Sequence, residues 1–277
     1  MIINRQNILE ITQKLNVKPD KDYGQNFLID SDVASQIVEN VRIEKNDNIL
    51  EIGPGLGSLT HFLSLKDCFS CDAVDIDGRM INFLMEIYAD NTQIKFIEND
   101  IRKIDISNYT KIVGNLPYNI TTELVAFLLT KAKLCERFVL MCQTEAFSRL
   151  SAINGKEYGA ISVLIHLLGS SKKLFVVKPG AFYPSPKCNS TVFEIQVANR
   201  DFQEDYYGTY RMAKQLFLNR RKTILNNLAV LLGDKFLGES ICRQCQITPT
   251  FRPEQISPNQ YLAIYKMLKV NGRIKKE

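Results

Sequence analysis

Asn48-Ile49-Leu50-Glu51-Ile52-Gly53-Pro54-Gly55-Leu56-Gly57 is a short apolar run that ends in a glycine-dense turn. A run this short and this apolar reads as a strand buried on both faces. Glycines at alternate turn positions let the backbone approach a ligand closely, and a helix starting at Ser58 presents its unpaired N–H groups there. The G-x-G-x-G spacing is not the dinucleotide fingerprint G-x-G-x-x-G, so the turn alone names no ligand.

Moving outward, apolar runs alternate with helical patterns. Strands are expected over 48–52, 71–76, 93–97, 111–113 and 137–142, with helices over 58–65, 79–88 and 121–131. Such alternation predicts a parallel sheet covered on both sides, a Rossmann-like doubly wound α/β fold. A helical stretch over 158–168 and strands over 173–178 and 191–197 follow, with the proline-rich Pro179-Gly-Ala-Phe182-Tyr-Pro184-Ser-Pro186 between the two strands. From about Asp201 the pattern is helical to the end. The expected organisation is an α/β domain over 1–199, with an N-terminal arm over 1–20, and a small all-α domain over 200–277.

Charge divides along the same line. Residues 1–199 carry 21 Lys/Arg against 23 Asp/Glu, whereas residues 200–277 carry 14 against 7. A basic C-terminal domain suits a polyanionic partner, although a solvated surface has the same composition. No apolar run approaches a membrane span, and the first 16 residues resemble neither a signal nor a transit peptide, so the expected location is the cytoplasm. Seven scattered cysteines read as free thiols. The C-x-x-C pairs Cys68/Cys71 and Cys242/Cys245 lie too far apart in sequence for an ordinary four-cysteine zinc site, so no metal is expected.

Three polar features fall at successive strand ends. Gly53 and Gly55 follow the first strand, Asp75 ends the second, where an acid accepts bonds from ribose hydroxyls, and Asp100 follows the third, where it faces an adenine amino group. Together they predict a nucleoside pocket, although each alone is an ordinary cap or surface acid. The fourth strand runs into Asn115-Leu116-Pro117-Tyr118, which taken alone is a proline turn with a stacking tyrosine; after these strand ends it has a chemical reading. An adenine N6 amine is a poor nucleophile because its lone pair is delocalised into the ring. Two acceptors on its hydrogens, the Asn115 side-chain oxygen and a backbone carbonyl near Leu116, favour a more tetrahedral nitrogen aimed at a sulfonium methyl. Pro117 fixes the turn, Tyr118 offers a stacking face, and Phe182 is a candidate for the opposite face, with a core phenylalanine as the alternative. His61 and His166 read as structural, since this chemistry needs no histidine.

These residues resemble the small-subunit ribosomal RNA adenine dimethyltransferases of the KsgA type. The resemblance extends from about Lys21 to Tyr261. It is carried by Lys21-Asp-Tyr-Gly-Gln25-Asn26-Phe27-Leu28, Gln143-Thr-Glu145-Ala-Phe-Ser-Arg149, Tyr158-Gly159-Ala-Ile-Ser162, the Pro179–Lys187 block and Phe217-Leu-Asn219-Arg220-Arg221-Lys222. It implies S-adenosyl-L-methionine as cofactor, held by Asn26, Leu28, Gly53, Gly55, Asp75, Asp100 and Asn115. It implies dimethylation of two adjacent adenosines near the 3′ end of small-subunit RNA during subunit maturation, by a monomer. Asp75 stands where the family more often has Glu. Arg220, Arg221 and Lys222 are the expected RNA contacts, giving affinity and salt dependence rather than sequence choice. The alternatives are a large-subunit RNA adenine methylase of the macrolide-resistance type, a DNA adenine-amino methyltransferase, and a non-catalytic assembly or transcription factor on the same fold.

Overall fold

The computed structural model describes residues 2–16, 26–199, 203–270 and 272. Its first elements are α1 (Ile8–Lys14), β1 (Phe27–Leu28), α2 (Ser31–Val41), β2 (Asn48–Ile52), α3 (Ser58–Leu63), β3 (Ser70–Asp75), α4 (Gly78–Ile87), β4 (Ile94–Glu98), β5 (Lys111–Asn115), α5 (Thr121–Lys131) and β6 (Arg137–Gln143). There follow α6 (Thr144–Ser151), α7 (Ala160–Leu168), β7 (Gly169–Val177), β8 (Phe182–Tyr183), β9 (Ser190–Val197), α8 (Gln203–Leu218), α9 (Ile224–Leu232), α10 (Lys235–Gln244) and α11 (Pro258–Val270).

Seven strands form one sheet in the order β4-β3-β2-β5-β6-β9-β7. The five strands from β4 to β6 are parallel. Their apolar residues are buried on both faces, as the continuous runs require: Ile49, Leu50, Ile112, Val113, Val139 and Leu140 are all at 0% exposure. The chain leaves β2 toward β3 on one side and returns as β5 on the other. This is the topological switch point, where open α/β sheets bind ligands outside the carboxyl ends of the strands.

Two features depart from the sequence-based expectation. β9 runs antiparallel to β6, pairing Gln143 with Ser190, so the first residues of β9 lie at the carboxyl edge of the parallel strands. The sequence reading also leaves 31–41 unassigned, yet α2 forms there. Asp30 caps it by accepting from the Asp32 and Val33 amides, and Ala34, Ile37, Val38 and Val41 make its buried stripe. The arm over residues 2–16 is packed, not frayed: Ile3, Ile8 and Ile11 are buried with Phe27, Leu56 and Phe83.

At the opposite end of the strands, Lys111 pairs with Asp47 at 2.5 Å and also donates to the Arg42 carbonyl. Burial works against the Asp47 charge, but bonds from Lys111 and Thr110 hold its carboxyl below the usual range.

The chain divides into two compact units, 1–147 with 172–196, and 148–171 with 197–277. The boundary expected at 199/200 is therefore corrected: residues 148–171 belong with the C-terminal helices. The reason is packing, because α7 is apolar almost all round, from Ala160 to Leu168, and has α8 and α11 as neighbours. Within this second unit Tyr158 donates to the Ile256 carbonyl at 3.1 Å, and Tyr261 donates to the Pro253 carbonyl at 2.8 Å.

Candidate active site

The glycine turn after β2 is held open by its own backbone. Gly53, Gly55 and Gly57 all have positive φ, at 65°, 53° and 91°, a region other residues enter only with strain. At Gly57 a side chain would also meet the Leu84 Cδ2 at 2.6 Å. Asp75, at the end of β3, ties the turn down. Its Oδ2 accepts from the Gly55 amide at 3.2 Å and its Oδ1 from the Asp77 amide at 3.0 Å. Burial pushes the Asp75 carboxyl up, with those two backbone donors opposing the shift.

Beneath the turn lies a second acid. Glu51 is 1% exposed; its Oε2 accepts from Thr60 Oγ1 at 2.7 Å, and its Oε1 has no partner. Burial, with a smaller push from the Asp75 charge, raises its carboxyl to about 8. The folded protein therefore keeps this proton across a range in which the unfolded chain releases it. Stability is then lost as pH rises from the ordinary glutamate value of 4.5 toward about 8, and no further above that. Glu51→Gln has nothing to titrate there. It is expected to match the parent near pH 5 and exceed it at pH 8 by on the order of a few kcal/mol. Denaturant titrations at the two pH values check this, and a constant difference between the proteins contradicts it.

Above the turn, a cavity of about 390 Å³ opens at the switch point, within the size range of small-ligand sites. It gathers Asn26 and Leu28 from β1 and its approach, Gly53 and Gly55, Asp75, Asp100, and Asn115 through Tyr118. These residues span 26 to 118 in sequence, yet they line one cavity. Of the expected N-terminal signature, Lys21 to Gln25 lie outside the described residues.

Asn115 closes β5 with its side chain in this cavity. Nδ2 donates to the Asn26 carbonyl at 3.2 Å, which fixes the direction of the amide. Oδ1 is left buried with no hydrogen-bond partner. A buried acceptor without a donor is costly, by about 1–3 kcal/mol, and on a residue that lines a cavity such an atom is accounted for by a ligand that supplies one. The next residues are positioned by the sheet and by α5. The Leu116 amide donates to the Met141 carbonyl at 2.9 Å, and the Pro117 carbonyl accepts from Thr121 Oγ1 at 2.9 Å. The Tyr118 hydroxyl meets Ser190 Oγ at 3.0 Å.

Three expectations are altered by the structure. Phe182 does not line the cavity: it is 3% exposed, pairs with Leu28 across the β1–β8 ladder and packs with Leu28, Val177 and Ala181. The alternative reading, a core phenylalanine, describes it. Asp100 lines the cavity, but its carboxylate is gripped by Arg102 at 2.6 Å, and the Arg102 bonds hold it below the usual range. Arg220 is committed inside its own unit. It donates to the Gly155 carbonyl at 2.6 Å, approaches Glu254 at 3.5 Å and lies over the Phe217 ring. Arg221 and Lys222 are exposed.

The cysteine pairs are buried thiols, and among the described residues no group of His, Cys, Asp and Glu could hold a metal ion. Burial raises the thiols of Cys68, Cys71, Cys242 and Cys245.

A glycine turn at the switch point, acids at two further strand ends and an orphaned amide oxygen suit a nucleoside cofactor beside an amine acceptor. A family model described as ribosomal RNA adenine dimethylase matches residues 16–270. The chain belongs to the ribosomal RNA adenine dimethylase family. It is an enzyme of that family, with the family's cofactor, S-adenosylmethionine. Among its relatives, Ribosomal RNA small subunit methyltransferase A of Geobacter metallireducens is 34% identical over 274 residues, spanning 92% of this chain and 98% of the relative. Its namesake in Streptococcus sanguinis is 31% identical over 269 residues, spanning 91% and 92%. The fold is also that of a dimethyladenosine transferase from Plasmodium falciparum (TM-score 0.75, 21% identity, 89% of this chain and 98% of that one). A 23S rRNA methyltransferase, ErmE, aligns with TM-score 0.66 at 20% identity, over 88% and 100%.

Sequence reasoning missed two residues beside the site, Arg102 and Ser190. Arg102 had a local signal, since it stands two residues after the acid it grips. Ser190 had none, because only strand pairing brings it beside Tyr118.

Proposed function

We propose that this enzyme dimethylates the N6 amino groups of two adjacent adenosines near the 3′ end of small-subunit ribosomal RNA, within the maturing subunit. The observation that supports this best is the buried, unpartnered Oδ1 of Asn115, a residue that lines the cavity. When bound, S-adenosylmethionine supplies an already activated methyl group, so the protein contributes positioning and electrostatics. Gly53 and Gly55 bring backbone close to it, and Asp75, whose oxygens keep lone pairs beyond the two they use, accepts from its ribose. Asn26 and Leu28 close the same wall, and Asp100 accepts from its adenine amine while held by Arg102.

On the acceptor side, Asn115 Oδ1 takes one N6 hydrogen and the Leu116 carbonyl the other, steering the lone pair out of the adenine ring. Pro117 fixes the turn that follows these acceptors. Tyr118 stacks on the base, which must swing out of the structured RNA to arrive there. The N6 proton passes to water after transfer. Recognition of the RNA falls to the basic C-terminal helices, through Arg221 and Lys222, while Arg220 braces their fold. The enzyme acts as a monomer in the cytoplasm; no helix among the described residues is long and apolar enough to cross a membrane.

The test is incubation of the protein with labelled cofactor and unmethylated small subunits, followed by mapping of the modified nucleotides. Label is expected on two adjacent adenosines of the small-subunit RNA. Label confined to large-subunit RNA or to DNA rejects the assignment. With the same RNA, replacing Arg221 and Lys222 by Gln is expected to weaken binding and to lower its salt slope by about 2, one for each cation withdrawn from a phosphate. An unchanged slope returns both to the solvated surface.

A further inference from the structure

A stacking face is useful only if its ring is held still, and Tyr118 is held by one residue the sequence does not place near it. Tyr118 lines the cavity and its hydroxyl meets Ser190 Oγ at 3.0 Å. Ser190 is at 0% exposure and opens β9, opposite Gln143 on β6. Its neighbours are clamped to the β6–α6 corner. The Thr144 amide and Oγ1 both donate to the Asn189 carbonyl, at 3.1 and 3.0 Å, and Thr144 Oγ1 meets Thr191 Oγ1 at 3.0 Å. The strand start is therefore rigid on both sides of Ser190. A buried hydroxyl on a rigid strand is a fixed point, whereas a tyrosine ring beside an open cavity otherwise turns about two torsions.

We propose that Ser190 is a positioning residue for the base that accepts the methyl group: its hydroxyl pins the Tyr118 hydroxyl and so sets the plane on which the adenine stacks. The inference rests on the reading of Tyr118 as the stacking face. Ser190 touches neither cofactor nor base, so its effect must pass through Tyr118, and that dependence is what separates it from a merely structural serine. It also gives the antiparallel strand a role at the site: a parallel strand in this place would begin at the far end of the sheet and could not bring its first residue to the acceptor pocket.

The test is a double-mutant cycle on the full chain, with small subunits as substrate. Ser190→Ala and Tyr118→Phe are each expected to lower kcat about fivefold, the usual net worth of one neutral hydrogen bond. The double variant should be no slower than either single one, because both remove the same bond. The cofactor KM should not move. A small-subunit RNA fragment carrying 2-aminopurine at a target adenine gives a second readout, since stacking on Tyr118 quenches its fluorescence. The quench should weaken equally in both single variants. Losses that multiply in the double variant, full turnover in Ser190→Ala, or an unaltered quench overturn the proposal. Should Ser190→Ala melt, Tyr118→Phe removes the same bond from the cavity side, and full turnover there overturns it as well. Asn115→Ala in the same assay separates the two readings. Turnover surviving in that variant rejects the acceptor pocket itself, whereas turnover abolished there but intact in Ser190→Ala rejects only the role of Ser190.

Discussion

Asn115→Ala is expected to reduce methyl transfer by at least about 100-fold, the usual cost of deleting a preorganised polar group that acts on the reacting centre. The variant removes the side-chain amide of the tetrapeptide and its bond to the Asn26 carbonyl, while the glycine turn and Asp75 remain. Cofactor binding, followed by calorimetry, should therefore persist. Asn115→Asp is the sharper comparison. It keeps an acceptor but sets a carboxylate oxygen against the Asn26 carbonyl, where Nδ2 now donates at 3.2 Å, so intermediate activity is expected. Near-parental turnover in Asn115→Ala would falsify the assigned role.

The residue before it carries the largest expected structural effect. Gly114 pairs with Ile52 in the β2–β5 ladder, and a Cβ there would sit 2.6 Å from the Ile52 carbonyl oxygen and 3.1 Å from its Cβ. The obstacle is backbone in the centre of the sheet, which cannot rotate away as a side-chain tip can. Gly114→Ala must part the two strands that frame the cofactor turn and the tetrapeptide. A cost of about 3 kcal/mol or more is expected, which lowers Tm by roughly 6–12 °C in a chain of this size. Activity should fall with it, because Asn115 and Gly53 shift relative to each other. A thermal melt matching the parent protein rejects the argument.

Gly114 also shows how far the sequence can be read. Nothing in the residues around it explains why a glycine stands there: the close approach of Ile52 belongs to a neighbouring strand 62 positions earlier. Asn115 was legible as an acceptor, because few residue types suit an exocyclic amine at a strand end. The orphaned state of its oxygen was not. Phe182 and Arg220 mark the limit in the other direction. Each carries a side chain suited to ligand work, a flat ring or a guanidinium, and nothing in the chain around it shows which partners the fold will give it. Phe182 faces inward because β8 pairs with β1 and alternation sends it to the same side as Leu28. Arg220 turns inward because Gly155 and Glu254 offer it oxygens.

By itself the sequence determined the parallel α/β core, the glycine turn, the acids after successive strands and the tetrapeptide. All of these follow from local periodicity and from residue types at strand ends. Tertiary structure alone decided the antiparallel β9, the alliance of α7 with the C-terminal helices, the burial of Phe182, and the meeting of Ser190 with Tyr118. These depend on packing between residues distant in the chain, which periodicity does not encode. The reaction is thus written in short segments of the chain, and the geometry that holds its parts still is written in how those segments pack.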